Sequence, residues 1–169
     1  VTTGGDKISK STGTGSLFYV DEIAARTDPE VVRYYLLSTH YRSPIEFNEE
    51  RLAEAAVAHQ RLRGGLERAE AWGAGPAPEP TGTLAGAVTE CEKLFSEAMD
   101  DDFNSAGAIG QLSRLSTRLN RALEEGDPGA VSAARSLLRL GGVLGLFWRK
   151  PVGESWPVEV TALVQEREQ

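Results

Sequence analysis

Two lysines and two hydroxyls fall within five residues in Lys7-Ile8-Ser9-Lys10-Ser11, with Gly4-Gly5 before them and Gly13 and Gly15 after. A basic stretch so rich in donors suits a triphosphate or pyrophosphate, whose charge needs cations and hydrogen bonds rather than covalent chemistry. It is not a Walker A loop, because no glycine-spaced approach leads into a single Lys-Ser/Thr pair at a helix start. A second basic group recurs at helical spacing. Arg114, Arg118 and Arg121 stand at i, i+4 and i+7, and Arg135 and Arg139 repeat the i, i+4 step further on. Rows of guanidinium groups suit a phosphate backbone. The competing reading is a solvated face balanced by neighbouring carboxylates.

The acidic run Asp100-Asp101-Asp102 invites a metal-site reading, but three consecutive carboxylates do not project to one side of any regular element. A helix–helix junction is the better reading, with Asn104 capping the next helix, Asp101 and Asp102 near its positive end, and Phe103 packed beneath. His40-Tyr41-Arg42 falls at a helix end, where Arg42 is expected to satisfy terminal carbonyls. His59 is expected on a helix surface. Trp72, Trp148 and Trp156 are expected to cap a helical core. With one cysteine, Cys91, and two histidines, no Cys/His set has metal-ligand spacing. No metal ligand is assigned, and Cys91 is expected on a buried helix face.

These groups need elements to hold them. Residues 1–19 read as loop, and a short helix is predicted over Val20 to Arg26. Asp28-Pro29-Glu30 is a helix start, with Asp as cap, Pro in the first position and Glu in the first turn. Pro44 ends that unit, and Ile45 and Phe47 make a short extended piece. Asn48 then caps a long helix to about Ala71, carrying Leu52, Ala55, Ala56, Leu62 and Leu66, with Gly64-Gly65 weakening its middle. Pro76, Pro78 and Pro80 mark a linker from Trp72 to Thr83. Three further helices are predicted: Leu84 to Met99, Ser105 to Leu123, and Gly129 to Leu146. A last short helix is expected after Trp156-Pro157. Four apolar stripes with short connections predict an antiparallel four-helix bundle and an all-α class.

Composition narrows the function classes. A chain of 169 residues with 40% hydrophobic and 25% charged residues supports a packed core in one or two small domains. No apolar run approaches the ~20 residues of a membrane span. A lone cysteine excludes an internal disulfide and fits a cytoplasmic location. The net charge of −7 argues mildly against nucleic-acid binding, but its distribution matters more. Residues 74–104 hold seven acidic residues against one basic, whereas residues 105–150 hold seven basic against three acidic. The second segment is the plausible RNA face.

Lys7-Ile8-Ser9-Lys10-Ser11 resembles the KMSKS signature of class I aminoacyl-tRNA synthetases, with Ile8 in place of methionine. Further blocks follow in order: Asp28-Pro29-Glu30, Val32 to Ser38, His40-Tyr41-Arg42-Ser43-Pro44, Met99-Asp100-Asp101-Asp102-Phe103-Asn104, and Val143-Leu144-Gly145-Leu146. Together they resemble the C-terminal half of the cysteinyl-tRNA synthetase family from about Gly5 to Phe147. Thr12-Gly13-Thr14 departs from the family's usual Leu-Gly-Asn. The resemblance implies a KMSKS loop and stem-contact connector over residues 1–47, a DALR-type anticodon-binding bundle over 48–150, and the start of a C-terminal extension over 151–169. It implies Lys10 as catalytic, with Lys7, Ser9, Lys10 and Ser11 binding ATP and Mg2+ accompanying the nucleotide. It lifts Arg42, Arg114, Arg118 and Arg121 as tRNA contacts, although His40-Tyr41-Arg42 is expected more to pack against the catalytic core. L-cysteine and tRNA(Cys) are the implied partners.

The family's nucleotide-binding fold and its Zn2+ ligands lie upstream of such a loop and are absent from this sequence. The chain opens at Val1 without methionine and reads as a piece of a longer protein, inactive alone. Two rivals stand. One is the paralogous ligase that joins cysteine to an amino-sugar inositol in mycothiol synthesis. The other is a non-catalytic helical module that binds RNA or protein.

Overall fold

The computed structural model describes residues 2–3, 6–7, 23, 25–71 and 80–148. Two strands, β1 (Thr2–Thr3) and β2 (Asp6–Lys7), pair antiparallel with Thr2 opposite Lys7 and Thr3 opposite Asp6. The loop expected over residues 1–19 therefore opens with a minimal hairpin. Strands of two residues are too short for alternation to show in sequence. The helix expected over 20–26 is seen at the residues described there, 23, 25 and 26.

Local chemistry sets the helix ends. The Asp28 carboxylate accepts from the Glu30 N–H at 2.8 Å and starts α1 (Pro29–Leu37). The Ser38 hydroxyl closes it by donating to the Tyr34 carbonyl at 2.7 Å. Tyr35 donates its hydroxyl to the Glu46 carbonyl and meets Phe47 edge-to-face at 5.4 Å, which pins the extended stretch between helices. Asn48 caps α2 (Glu49–Glu70) by accepting from Arg51 N–H at 2.8 Å. After α3 (Gly82–Asp100), Asn104 caps α4 (Ser105–Glu125) through the Gly107 N–H at 2.9 Å. Gly126, left-handed at φ +74°, ends α4, and α5 (Ala130–Val143) follows.

The expected stripes are the buried ones. Leu112, Leu115 and Leu119 of α4 and Leu137 of α5 are essentially inaccessible, and Val88, Cys91 and Phe95 of α3 pack on them. Truncating any of these leucines to alanine costs roughly 2–5 kcal/mol. The α3/α4 pair is an antiparallel hairpin, with the Cys91 Sγ 3.5 Å from the Gln111 carbonyl oxygen. On one side α5 crosses to α3, where Ser136 and Arg139 both reach Glu92.

On the other side α2 packs on α4 and α5. A Cβ on Gly65 would stand 2.9 Å from the Asn120 Oδ1 and 3.4 Å from Leu119, so glycine permits this approach. Ala58 shares a groove with Ser113, which gives α2 and α4 the same sense. Helices α2 and α3 make no close backbone approach. The bundle thus differs from a ring of sequence neighbours. Its long diagonal joins α2 to α3, and the proline-rich stretch between them is the one long connection among the four. Residues 72–79 and 149–169, including Trp72, Trp156 and the helix expected after Pro157, lie outside the described residues.

Candidate functional site

Lys7 ends β2. Ser9, Lys10 and Ser11 lie outside the described residues.

Arg114, Arg118 and Arg121 are all exposed on α4, as their spacing requires. Arg114 and Arg118 line a groove of about 460 Å³ between α3 and α4, opposite Glu90. Arg121 borders a groove of about 710 Å³ between α2 and α4, shared with Arg61, Ser113, Thr117 and Asn120. It also donates through Nε to Glu125 at 2.8 Å. That hydrogen bond, and then the Glu125 charge, raise the Arg121 pKa further, so its cation is permanent. The acidic helix α3 balances α5 more directly than α4, since Glu92 pairs with Arg139 at 2.5 Å.

Arg42 does not cap helix carbonyls. Its Nη1 lies 3.0 Å from the Asp102 Oδ2, and its guanidinium sits 5.4 Å above the Tyr41 ring. Tyr41 donates its hydroxyl to the Asp102 Oδ1 at 2.7 Å, which raises its pKa because ionisation would break that bond and face the carboxylate. His40 stacks on Tyr41 at 4.9 Å and places Nε2 3.9 Å from Asp102. The buried Ser105 hydroxyl donates to the Leu37 carbonyl at 2.8 Å, closing the same joint from the bundle side. Two sequence blocks far apart in the chain, His40 to Arg42 and Asp100 to Asn104, therefore meet. The acidic run is a helix junction, as its spacing indicates, but Phe103 does not pack beneath it. Phe103 adopts φ +53° and is 68% exposed. Trp148 is 56% exposed and does not cap the core.

Among the described residues, the most buried charged side chain is one that sequence spacing presents as a first-turn helix carboxylate. Glu30 is 0% exposed. Its Oε1 lies 2.9 Å from the His59 Nε2 and accepts the Phe147 N–H, and its Oε2 stands 3.5 Å from the Arg63 Nη1. His59, 3% exposed, is not a surface residue; it meets Tyr34 at 5.8 Å and Phe147 at 6.1 Å. The signal was available, since position 59 lies between Ala55 and Leu62 on the α2 stripe. Phe147 holds its backbone N–H toward Glu30 at φ +65°, with its ring over Gly141. This node joins α1, α2 and the end of α5.

Among the described residues, no group of three or more His, Cys, Asp or Glu is arranged to hold a metal ion. Cys91 is buried, and that burial, then Glu92 and Glu90, pushes its thiol up to about 11. A neutral buried thiol is a poor zinc ligand. No helix among the described residues is long and apolar enough to cross a membrane.

Comparison with known proteins gives two matches along this architecture. Residues 1–57 match the model described as "tRNA synthetases class I (C) catalytic domain", and residues 94–148 match the DALR domain. The chain therefore carries a stretch of a class I aminoacyl-tRNA synthetase catalytic domain followed by a DALR domain. Among curated proteins, the chain is 37% identical over 175 residues to the cysteine–tRNA ligase of Pseudomonas paraeruginosa, covering 99% of the chain and 35% of that protein. It is 41% identical over 157 residues to that of Geobacter sulfurreducens, covering 86% and 31%. To the ligase of Marinobacter nauticus it is 41% identical over 147 residues, covering 86% and 29%. The chain belongs to the cysteinyl-tRNA synthetase family, and spans about a third of the length of these relatives.

Proposed function

We propose that this chain is the tRNA-binding part of a cysteine–tRNA ligase, which activates L-cysteine with ATP and transfers it to tRNA(Cys) in the cytoplasm. The observation that carries this reading is the near chain-long similarity to cysteine–tRNA ligases, spanning both a catalytic-domain stretch and a DALR domain. The amino-sugar ligase and the non-catalytic module gain no support from these relatives.

Residues 1–47 act as the loop and connector, 48–150 as the tRNA-binding bundle, and 151–169 begin an extension. Lys10 stabilises the charge that develops on the α-phosphate as the cysteine carboxylate attacks, while Lys7, Ser9 and Ser11 hold the remaining phosphates with Mg2+. The tRNA backbone runs along Arg114, Arg118 and Arg121. Arg42 contributes least, because Asp102 already offsets its charge. Zn2+, where the ligase uses it to select the cysteine thiol, is held by residues other than those of this chain.

The test separates the two roles within the gene-length protein that carries this chain. Lys10→Ala slows cysteine-dependent ATP–pyrophosphate exchange at least a hundredfold and leaves tRNA affinity within about twofold, as expected for a charge used in the transition state. Replacing Arg114, Arg118 and Arg121 together by glutamine weakens tRNA binding and spares exchange. Equal losses of both activities in either variant would contradict the assignment.

A further inference from the structure

Neither the phosphate chemistry of the loop nor the arginine rows use Glu30, although its carboxylate is fully buried. Three groups converge on it, two from α2 and one from the chain just after α5. His59 Nε2 stands 2.9 Å from Oε1, the Phe147 N–H donates to the same oxygen, and Arg63 Nη1 stands 3.5 Å from Oε2. Among the described residues, Oε2 accepts no hydrogen bond. The backbone is shaped to complete this set. Phe147 adopts φ +65°, unfavourable for an aromatic residue, and so turns its N–H to Glu30. Gly141 leaves room for its ring, since a Cβ there would stand 2.3 Å from it. Gly145, at φ +67°, lets Arg33 of α1 approach, where a Cβ would stand 2.7 Å from Nη1.

These groups come from separate parts of the chain. Glu30 lies in the stretch that matches a class I catalytic domain, Phe147 in the DALR match, and His59 and Arg63 on α2 between the two. Apolar contacts on the same helix, such as Val31 and Val32, are non-directional. A buried carboxylate is not needed to hold helices together, because well-packed apolar residues of similar volume often hold as well or better. What it adds is direction: rotation of α1 bends hydrogen bonds made to a desolvated charge. Direction matters over the length of the bundle. With 21 residues α4 is about 30 Å long, so a tilt of about 5° displaces one end against the other by roughly 2–3 Å, and a misplacement of about 1 Å can slow a reaction about a hundredfold.

We propose that Glu30 is a positioning residue for the transfer step. It sets the angle between connector and bundle, so that a tRNA held along α4 presents its acceptor end to the activated cysteine. This rests on reading the chain as the tRNA-binding part of a cysteine–tRNA ligase. Glu30 touches neither reactant and acts on geometry alone. Adenylate formation, which involves no tRNA, and tRNA binding, which uses the arginine face, do not depend on it.

Three readouts on the gene-length protein test this, at a temperature where circular dichroism shows each variant folded. Cysteine-dependent ATP–pyrophosphate exchange reads activation, filter binding reads tRNA affinity, and single-turnover transfer at saturating tRNA reads positioning. Glu30→Ala slows transfer about tenfold or more, with exchange and tRNA affinity held within about twofold. Glu30→Gln, which keeps an acceptor for Phe147 and His59, recovers most of that rate. Gly141→Ala displaces the Phe147 ring with Glu30 intact and slows transfer about threefold or more, with the same sparing, and it decides the matter where Glu30→Ala does not fold. A parallel fall in all three readouts would overturn the positioning role in favour of a purely structural one. A wild-type protein that charges tRNA beside folded variants that charge equally well sinks the positioning role alone. A wild type without cysteine-dependent exchange sinks the ligase reading and the positioning role with it.

Discussion

Removing the Glu30 side chain tests how connector and bundle are held together. Its fully buried carboxylate meets His59 at 2.9 Å, Arg63 at 3.5 Å and the Phe147 N–H. Glu30→Ala strands a buried imidazole N–H and a buried backbone N–H, and leaves Arg63 without its inner carboxylate. Each orphaned donor costs about 1–3 kcal/mol, and breaking a buried ion pair costs about 3–5 kcal/mol in total. These overlap, so the expected loss is roughly 3–5 kcal/mol. For a chain of this size that is a fall in Tm of about 6–20 °C. Glu30→Gln keeps an acceptor for Phe147 and His59 but turns an amide NH2 toward the Arg63 guanidinium, so the charge and the Arg63 pairing are both lost and about 1–3 kcal/mol is expected. Circular dichroism at 222 nm, followed through heat and urea, reads both variants on the 169-residue chain. A loss below about 1 kcal/mol for Glu30→Ala would refute the node as the joint.

Three further predictions follow from single contacts. A Cβ on Gly141 would stand 2.3 Å from the Phe147 ring, so Gly141→Ala costs about 1–3 kcal/mol; Gly142→Ala, with nothing within 4 Å, gains up to about 1 kcal/mol from helix propensity, and urea midpoints compare the two. The Cys91 thiol is raised to about 11, mainly by burial, so the folded state favours its neutral form. Its contribution to stability is therefore complete below the ordinary thiol range of about 8.5 and is lost as pH rises toward about 11, and alkylation at pH 8 runs about a hundredfold slower than on the unfolded chain. Exchanging Arg114, Arg118 and Arg121 for glutamine lowers the salt dependence of tRNA binding by a slope of about 2, given roughly 0.7 per phosphate contact on single-stranded RNA; an unchanged slope would remove these residues from the interface.

What was legible in the sequence is what is local. Asp28, Asn48 and Asn104 each cap a helix through a bond spanning two or three residues, and each could be placed by type and position. The α4 arginines are exposed because helical period alone puts Leu112, Leu115 and Leu119 on the opposite face. Long-range pairings were not legible. His59 looked like a surface residue until Glu30, 29 positions earlier, supplied its buried partner. Arg42 seemed suited to helix carbonyls, but Asp102 lies 3.0 Å away once the helices pack. Phe103 belonged inside by type, and a left-handed turn, which type does not encode for phenylalanine, puts it outside. The α2/α3 separation likewise depends on which faces pack, not on chain order.

The central claim, that this chain is part of a cysteine–tRNA ligase, is tested most directly by charging. The gene-length protein is incubated with ATP, Mg2+, tRNA transcripts and each of the twenty amino acids, and aminoacyl-tRNA is counted. The account predicts product with cysteine and tRNA(Cys), abolished by Lys10→Ala. Product with another amino acid, or cysteine activation that yields no charged tRNA from a folded protein, would contradict it.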